Sequence, residues 1–217
     1  MHGDRLTARG LYAITDGPRK DLVDVCAAVL RGGATMLQYR DKTDDPARQR
    51  AEASALLGLC RPLGVPLIVN DDVELAAATG AAGVHLGEDD ADVAAARQRL
   101  GNGAIIGVSC YDSLERAREL AAAGADYLAF GAFFPSPTKP RARRATADLL
   151  RAAQALRRPL VAIGGITPDN AGSLIEAGAD FVAVISGVFG ASDPETAARR
   201  YTDLFAKYKS GFHAEQS

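Results

Sequence analysis

Eight short apolar runs alternate with longer segments of helical patterning along the whole chain. The runs are nearly continuous, which is typical of parallel strands buried on both faces. The predicted strands are Leu11–Thr15, Met36–Arg40, Leu67–Asn70, Val84–Leu86, Ile105–Ser109, Tyr127–Gly131, Leu160–Gly164 and Phe181–Ser186. The predicted helices are Asp21–Arg31, Pro46–Arg61, Val73–Thr79, Ala91–Leu100, Ser113–Ala123, Ala145–Leu156, Pro168–Ala177 and Pro194–Lys207.

Capping residues and a repeated Gly-Ala pair support these boundaries. Polar side chains fit N-cap or near-cap positions, and prolines fit first helical turns. These residues are Asp21, Asp45, Asp112, Thr167 and Asp193, with Pro46, Pro168 and Pro194. A Gly-Ala pair closes the helix before every second strand, where glycine supplies the left-handed conformation of the turn. The four glycines are Gly33, Gly80, Gly124 and Gly178.

Eight βα units in 217 residues predict an α/β protein with the (β/α)₈ or TIM-barrel fold. We expect one domain over residues 1–217, with an ordered core from about 8 to 209 and flexible termini. A doubly wound open sheet is the alternative. That fold usually has fewer strands and a glycine-rich first turn. No glycine-rich turn follows the first strand here, where the sequence reads TDGPRK.

Composition and charge narrow the class of protein. The hydrophobic share of 47% suffices for a full core, and the net charge of −2 favours neither a nucleic-acid nor a membrane partner. Neither a membrane-span-length apolar run nor a signal-peptide core is found, so we expect a cytoplasmic enzyme acting on small molecules. Of the three cysteines, Cys26 and Cys60 fall on predicted helices and are predicted to be buried thiols.

Acidic side chains follow the third and fourth strands, at the barrel end where active sites lie. Asn70 and Asp71 end and follow one strand, and Glu88, Asp89 and Asp90 follow the next. Carboxylates gathered at neighbouring strand ends repel one another unless a cation lies between them, and oxygen ligands suit Mg²⁺. The alternative is that these acids only cap helices, since Asp is favoured at N-caps. Both interpretations stay open at this point.

The stretch QYRDK, at the end of the second strand, contains three side chains that could bind an anion. Gln38 and Arg40 share one face of the strand, and Lys42 joins them if the strand geometry persists. Together they offer several donors to a phosphate or diphosphate. The alternative is a solvated strand end, but Gln38 sits in an apolar strand and requires a partner.

The ends of the sixth, seventh and eighth strands also predict anion binding. The long loop after the sixth strand, FGAFFPSPTKPRARRAT, places Ser136, Thr138 and Lys139 to hold an anion or close over a ligand. Barrels often form a phosphate cup after strands seven and eight. The predicted cup residues are Gly164, Gly165, Ser186 and Gly187.

Two anion sites and a metal on Asp71 and Asp90 suggest the joining of two phosphorylated molecules, with diphosphate as leaving group. No nucleophile–base pair is evident in the sequence. His85 lies in the barrel body and is predicted to pack or hydrogen-bond at its strand end.

At this point the chain resembles the thiamine phosphate synthase family over nearly its whole length. The matching segments are LYAITD, QYRDK, VNDDVELA, GVHLGEDD, IIGVSCY, GADYLAFGAFFPSPTK, VAIGGITPDN and GADFVAVISGVF. The resemblance implies condensation of 4-amino-2-methyl-5-(hydroxymethyl)pyrimidine diphosphate with 4-methyl-5-(2-phosphoethyl)thiazole, giving thiamine phosphate and diphosphate. It also implies a dissociative path, in which diphosphate leaves before the thiazole nitrogen captures a pyrimidine carbocation.

The resemblance also implies roles for individual residues. Contacts to the pyrimidine diphosphate are expected from Gln38, Arg40, Lys42, Asn70, Ser109 and Lys139. Of these, the predicted catalytic residues are Arg40, Lys42, Ser109 and Lys139, because the site must stabilise a departing anion. The thiazole phosphate is expected at Ser136, Thr138, Gly165, Ile185 and Ser186.

A Mg²⁺ cofactor on Asp71 and Asp90 and a homodimer complete what the resemblance implies. One departure concerns the metal loop, since many members read HLGQED where this chain has Glu88 and Asp89 before Asp90. The final acid, Asp90, matches the family, so the metal assignment on Asp71 and Asp90 stands.

Three rival functions remain at the sequence level. A thiazole tautomerase needs neither a diphosphate site nor a metal, yet QYRDK, both acidic strand ends and Lys139 are present. A sugar-phosphate isomerase needs an acid–base pair, and nothing pairs Asp16 with His85. A non-catalytic barrel that binds thiamine precursors retains every contact, so only turnover separates it from the enzyme.

Overall fold

Eight parallel strands close into a barrel in the computed structural model, which describes residues 6, 8–88, 92–135 and 144–211. The strands are β1 (Gly10–Ile14), β2 (Met36–Tyr39), β3 (Leu67–Asn70), β4 (Gly83–Leu86), β5 (Ile105–Tyr111), β6 (Tyr127–Phe130), β7 (Leu160–Ile163) and β8 (Phe181–Val184). Each pairs with its neighbours in sequence order, and β1 pairs with β8 from Gly10 opposite Phe181 onward. Closure confirms the predicted barrel and excludes the open sheet.

Helices follow the strands in the alternation that the sequence predicts. They are α1 (Leu22–Arg31), α2 (Pro46–Cys60), α3 (Val73–Thr79), α4 (Val93–Leu100), α5 (Leu114–Ala122), α6 (Ala147–Ala153), α7 (Ala171–Glu176), α8 (Ser186–Phe189) and α9 (Pro194–Gly211). Short 3₁₀ segments, Arg61–Leu63 and Gln154–Leu156, extend α2 and α6. Among the helices of the described ranges, none has the length and apolar character needed to cross a membrane.

Side chains of each strand alternate between two cores. In β1, Tyr12 and Ile14 fill the barrel interior, while Leu11 and Ala13 pack under the helices. The interior cluster consists of Tyr12, Ile14, Met36, Ile68, Ile105, Tyr127, Ala129, Val161, Phe181 and Ala183. All three cysteines are free and buried, which confirms the prediction for Cys26 and Cys60.

The repeated glycines adopt the backbone conformation predicted for them. Gly33, Gly80, Gly124 and Gly178 all have φ between 71° and 105°. Each follows a helix and turns the chain into the next even-numbered strand, so the Gly-Ala repeat marks helix ends.

Several predicted boundaries were wrong. Strand ends differ by up to two residues, most in β5, which continues to Tyr111, and in β8, which ends at Val184. Helix α7 begins at Ala171 rather than Pro168, because the Asn170 side chain accepts a hydrogen bond from Thr167 N (2.8 Å) and forms a turn there. Ser113 is the N-cap of α5, and Asp112, predicted as a cap or near-cap residue, directly precedes it.

Helix α8 was not predicted. Its four residues follow β8 directly, so Ser186 begins a helix instead of ending a strand. Four residues that include a glycine carry no helical period, and the sequence pattern therefore gives no signal for this helix.

Candidate active site

The carboxyl ends of the strands gather the described members of the predicted site. These are Gln38, Arg40, Lys42, Asn70, Asp71, Ser109, Gly165, Ile185 and Ser186, each at a strand end or directly after it. Ser136, Thr138, Lys139 and Asp90, with Asp89, lie outside the described residues. The placement of the nine described residues follows from the parallel barrel, because all eight strands point the same way.

The loop after β2 is held by polar contacts of Thr15 and Asp41. Thr15, at the end of β1, accepts from Arg40 N (2.7 Å) and donates to Arg40 O (3.0 Å). The Asp41 carboxylate is fully buried, pairs with Arg48 Nη2 (2.8 Å) and accepts from Thr43 N (2.9 Å). These contacts fix the backbone from which the Arg40 and Lys42 side chains extend.

Directly after β3, the Asp71 carboxylate contacts donors from two of the described residues. Asp71 Oδ2 accepts from Asn70 Nδ2 (2.6 Å) and forms an ion pair with Lys42 Nζ. Asp71 has a left-handed backbone (φ 62°), and its N–H donates to His85 O of β4 (2.8 Å). Left-handed conformations are uncommon for non-glycine residues, although Asp and Asn tolerate them best.

Five inward-pointing side chains form a hydrogen-bonded chain across the barrel interior. Gln38 Nε2 donates to the Tyr12 hydroxyl (2.6 Å), which lies 2.8 Å from the Tyr127 hydroxyl. The Tyr127 hydroxyl lies 2.9 Å from His85 Nδ1, and His85 Nε2 lies 3.0 Å from Ser109 Oγ. Gln38 thus has the partner that its apolar strand requires, and His85 hydrogen-bonds as predicted.

The sequence did not identify Tyr12 and Tyr127 as site residues, nor the contact between His85 and Ser109. The alternation of side chains along a strand predicts that they point into the barrel. Their contacts with other strands form only when the barrel closes. A histidine within hydrogen-bond distance of a serine also has the geometry of a base beside a nucleophile. Which of the two atoms carries the shared proton therefore matters for function.

Arg116 of α5 is a further residue that the sequence did not identify. Its guanidinium donates to Ser109 O (2.8 Å) and to Gly87 O (3.3 Å), and it lies 5.9 Å from the centre of the Tyr111 ring. Arg116 therefore ties the end of β5 to the loop after β4, immediately before Glu88.

The predicted phosphate cup has a tyrosine behind it. Gly165 has φ 63°, and a Cβ there would lie 2.5 Å from Pro135 O. Tyr201 of α9 donates to Ile166 O (3.1 Å), and a Cβ at Gly187 would lie 2.8 Å from the same hydroxyl. Burial raises the pKa of Tyr201 to about 12, so the hydroxyl keeps its proton and remains a donor. Tyr201 thus supports both loops of the cup.

The acidic strand end fits a hard cation. The donors available from Asp71 are carboxylate oxygens, and Oδ2 already attracts an ammonium and an amide N–H. Over the described ranges, no three His, Cys, Asp or Glu side chains converge to hold a metal. Carboxylate oxygens are ligands that Mg²⁺ takes in small number, with water and substrate phosphate completing its shell.

The closed barrel carries cationic and hydrogen-bonding side chains at its carboxyl end, where barrel enzymes have their active sites. The model of the thiamine monophosphate synthase family matches residues 11–188. The thiamine-phosphate synthase of Halorhodospira halophila is 57% identical over 192 residues, covering 88% of this chain and 91% of the relative. That of an Azoarcus species is 56% identical over 207 residues, covering 94% and 100%.

Solved structures agree. Thiamine phosphate pyrophosphorylase from Pyrococcus furiosus superposes with a TM-score of 0.83 at 36% identity, covering 94% of this chain and 97% of that one. The chain belongs to the thiamine monophosphate synthase family, and it is a transferase of thiamine biosynthesis.

Proposed function

We propose that this protein condenses 4-amino-2-methyl-5-(hydroxymethyl)pyrimidine diphosphate with 4-methyl-5-(2-phosphoethyl)thiazole to give thiamine phosphate and diphosphate. Family membership supports the reaction. The observation that carries it is the meeting of Arg40, Lys42 and Asp71 at adjoining strand ends. Among the described residues Arg40 has no acidic partner, so its charge is available to a ligand.

A departing diphosphate explains this arrangement. In the proposed dissociative path the bond from the pyrimidine methylene carbon to the diphosphate oxygen breaks first, and its electrons leave with the diphosphate. The thiazole nitrogen then bonds to the carbocation. Such a reaction requires donors positioned on the leaving anion rather than an activated nucleophile. We assign that catalytic role to Arg40, Lys42, Ser109 and Lys139.

Binding roles follow the positions of the strand ends. We propose that Gln38 and Asn70 also contact the pyrimidine diphosphate, since both point inward beside Arg40. We place the thiazole phosphate at Gly165, Ile185 and Ser186, with Ser136 and Thr138 from the loop after β6. Positive-φ glycine and a helix start at Ser186 offer main-chain N–H groups to a phosphate, which supports this assignment.

Asp71 and Asp90 would hold a Mg²⁺ ion. The ion would neutralise part of the charge on the diphosphate. Lys42 already pairs with Asp71, so we propose that it moves to the diphosphate when substrate and metal bind. We also propose a cytoplasmic location and a homodimer, which fractionation and sedimentation equilibrium measure directly.

The test is turnover by purified protein with both substrates. We expect equal amounts of diphosphate and thiamine phosphate, with no release when either substrate is omitted. Arg40→Gln should lose most of this activity, while Arg50→Gln on the exposed side of α2 should keep it. Binding of both substrates without release would replace the synthase with a non-catalytic binding protein. Binding of the thiazole phosphate alone would favour a tautomerase.

A further inference from the structure

The chain from Gln38 to Ser109 has a direction, because each buried hydroxyl carries one proton that needs an acceptor. Tyr12 is 1% exposed and Tyr127 is fully buried. Burial raises the pKa of both hydroxyls, so both remain protonated. In the described part of the chain, the Tyr12 hydroxyl contacts only Gln38 and Tyr127.

With Nε2 of the Gln38 amide facing Tyr12, each of the other links has one possible direction. Gln38 Nε2 donates to Tyr12, so the Tyr12 proton must go to Tyr127 and the Tyr127 proton to His85 Nδ1. A neutral imidazole that accepts at Nδ1 carries its proton on Nε2. His85 Nε2 therefore donates to Ser109 Oγ, and the Ser109 proton points elsewhere.

Turning the Gln38 amide around reverses the whole chain. With its carbonyl oxygen toward Tyr12, each hydroxyl would donate in the opposite direction and Ser109 would donate to His85. In that state His85 Nε2 would accept a hydrogen bond from Ser109, and the Ser109 hydroxyl could not donate to an incoming ligand. The orientation of the Gln38 amide thus decides whether the Ser109 hydroxyl can donate to a ligand or donates to His85 instead.

We propose that Tyr12 and Tyr127 are positioning residues that transmit the orientation of the Gln38 amide to Ser109, so that the Ser109 hydroxyl donates to an anionic ligand. The identity of that anion, diphosphate, rests on the proposed function; the direction of the chain does not. Hydrogen bonds in such a chain polarise one another, which strengthens the donor at its end.

The packing of Tyr127 supports a dedicated role. Its ring stacks on His85, with centroids 5.6 Å apart and planes 20° apart, and meets Tyr12 edge-on at 5.9 Å. Gly107 of β5 leaves room for the ring, since a Cβ there would lie 1.8 Å from Tyr127 Cζ. A glycine in the middle of a strand is otherwise unfavourable.

The first experiment is ¹⁵N NMR of the wild-type imidazoles, with the His85 signals assigned by their absence from His85→Gln. We expect a pyrrole-type shift for Nε2 and a pyridine-type shift for Nδ1. The opposite tautomer would overturn the proposal. This measurement needs neither turnover nor ligand, so a failure of the synthase assignment leaves it decisive.

The second experiment is calorimetric binding of inorganic diphosphate with Mg²⁺. We expect Tyr127→Phe to weaken binding about tenfold, the value of one charge-assisted hydrogen bond. In the Ser109→Ala background the same substitution should have no further effect, because Tyr127 acts through Ser109. Additive losses in the double variant would overturn the proposal.

Tyr39→Phe is the matched control. It removes a buried hydroxyl that donates to Glu52 (2.7 Å) on the helix side of β2, outside the chain. It should leave both the His85 tautomer and diphosphate binding unchanged. If it weakens binding as much as Tyr127→Phe does, the effect is general loss of packing and the proposal is wrong.

Discussion

Lys42 and Asp71 form an ion pair between the carboxyl ends of β2 and β3. The lysine side chain is 58% exposed and the aspartate 25%, so the pair lies on the open rim of the barrel. The same Asp71 oxygen accepts from Asn70. The pair links the cationic strand end to the acidic one.

Asp71→Asn tests the metal site without straining the backbone, because Asn tolerates the left-handed φ of this position. We expect the Mg²⁺ concentration for half-maximal activity to rise about 10- to 100-fold. Asp72→Asn is the control, since Asp72 caps α3 by accepting from Leu75 N (2.8 Å) and Asn caps equally well. An unchanged Mg²⁺ requirement in Asp71→Asn would remove Asp71 from the metal site.

Arg116→Lys tests the hydrogen bonds by which Arg116 connects β5 to the loop after β4. Lysine cannot donate to Ser109 O and Gly87 O with a planar fork, so we expect a loss of about 1–3 kcal/mol in the free energy of unfolding. The Mg²⁺ requirement should also rise, because Gly87 begins the loop that carries Asp90, the second proposed metal ligand. Urea unfolding and metal titration measure the two effects. Arg118→Lys, exposed on the same helix, should change neither.

Asp126→Ala tests the opposite end of the barrel. This buried carboxylate accepts from Ile106 N (2.8 Å) and from Arg97 Nη2 (2.6 Å). Breaking a buried pair leaves Arg97 uncompensated, and we expect about 3 kcal/mol of lost stability. KM should not change, since the site lies at the carboxyl ends. The exposed Glu74–Arg99 pair is the control, and Glu74→Ala should unfold like wild type.

We expect the protein to lose stability in alkali, because its three thiols are buried. Burial raises the pKa of Cys26, Cys60 and Cys110 from 9.0 to about 12. Their contribution to the free energy of unfolding is complete below pH 9, where the thiols are protonated in both the folded and the unfolded chain. It is lost between pH 9 and 12, because the unfolded chain releases its thiol protons first. Each thiol contributes a slope of roughly 1.4 kcal/mol per pH unit in that window. Urea unfolding at successive pH values should give a shallower slope for Cys26→Ala than for wild type. Equal slopes would contradict this assignment.

The sequence predicts the barrel well because each strand is encoded locally. The apolar runs and the Gly-Ala turns are short-range signals, and their number determines the architecture. The cationic residues of QYRDK were also readable, because their place at a strand end follows from the same pattern.

Contacts made across the barrel were not readable in the same way. Tyr127 and His85 are 42 residues apart, and Arg116 reaches Gly87 across 29 residues. Nothing local marks these partners, since they meet only after the strands close. The short helix at Ser186 was missed for a different reason, because four residues are too few to show a period.

The pairing of β1 with β8 has a consequence for synthesis of the protein. Arg9, beside that seam, bonds to the main chain of Ala179, 170 residues later. A nascent chain therefore leaves the edge of β1 unpaired until β8 has emerged from the ribosome. Unpaired parallel edges recruit other strands, and slow translation between β1 and β8 should thus increase aggregation and the demand for chaperones.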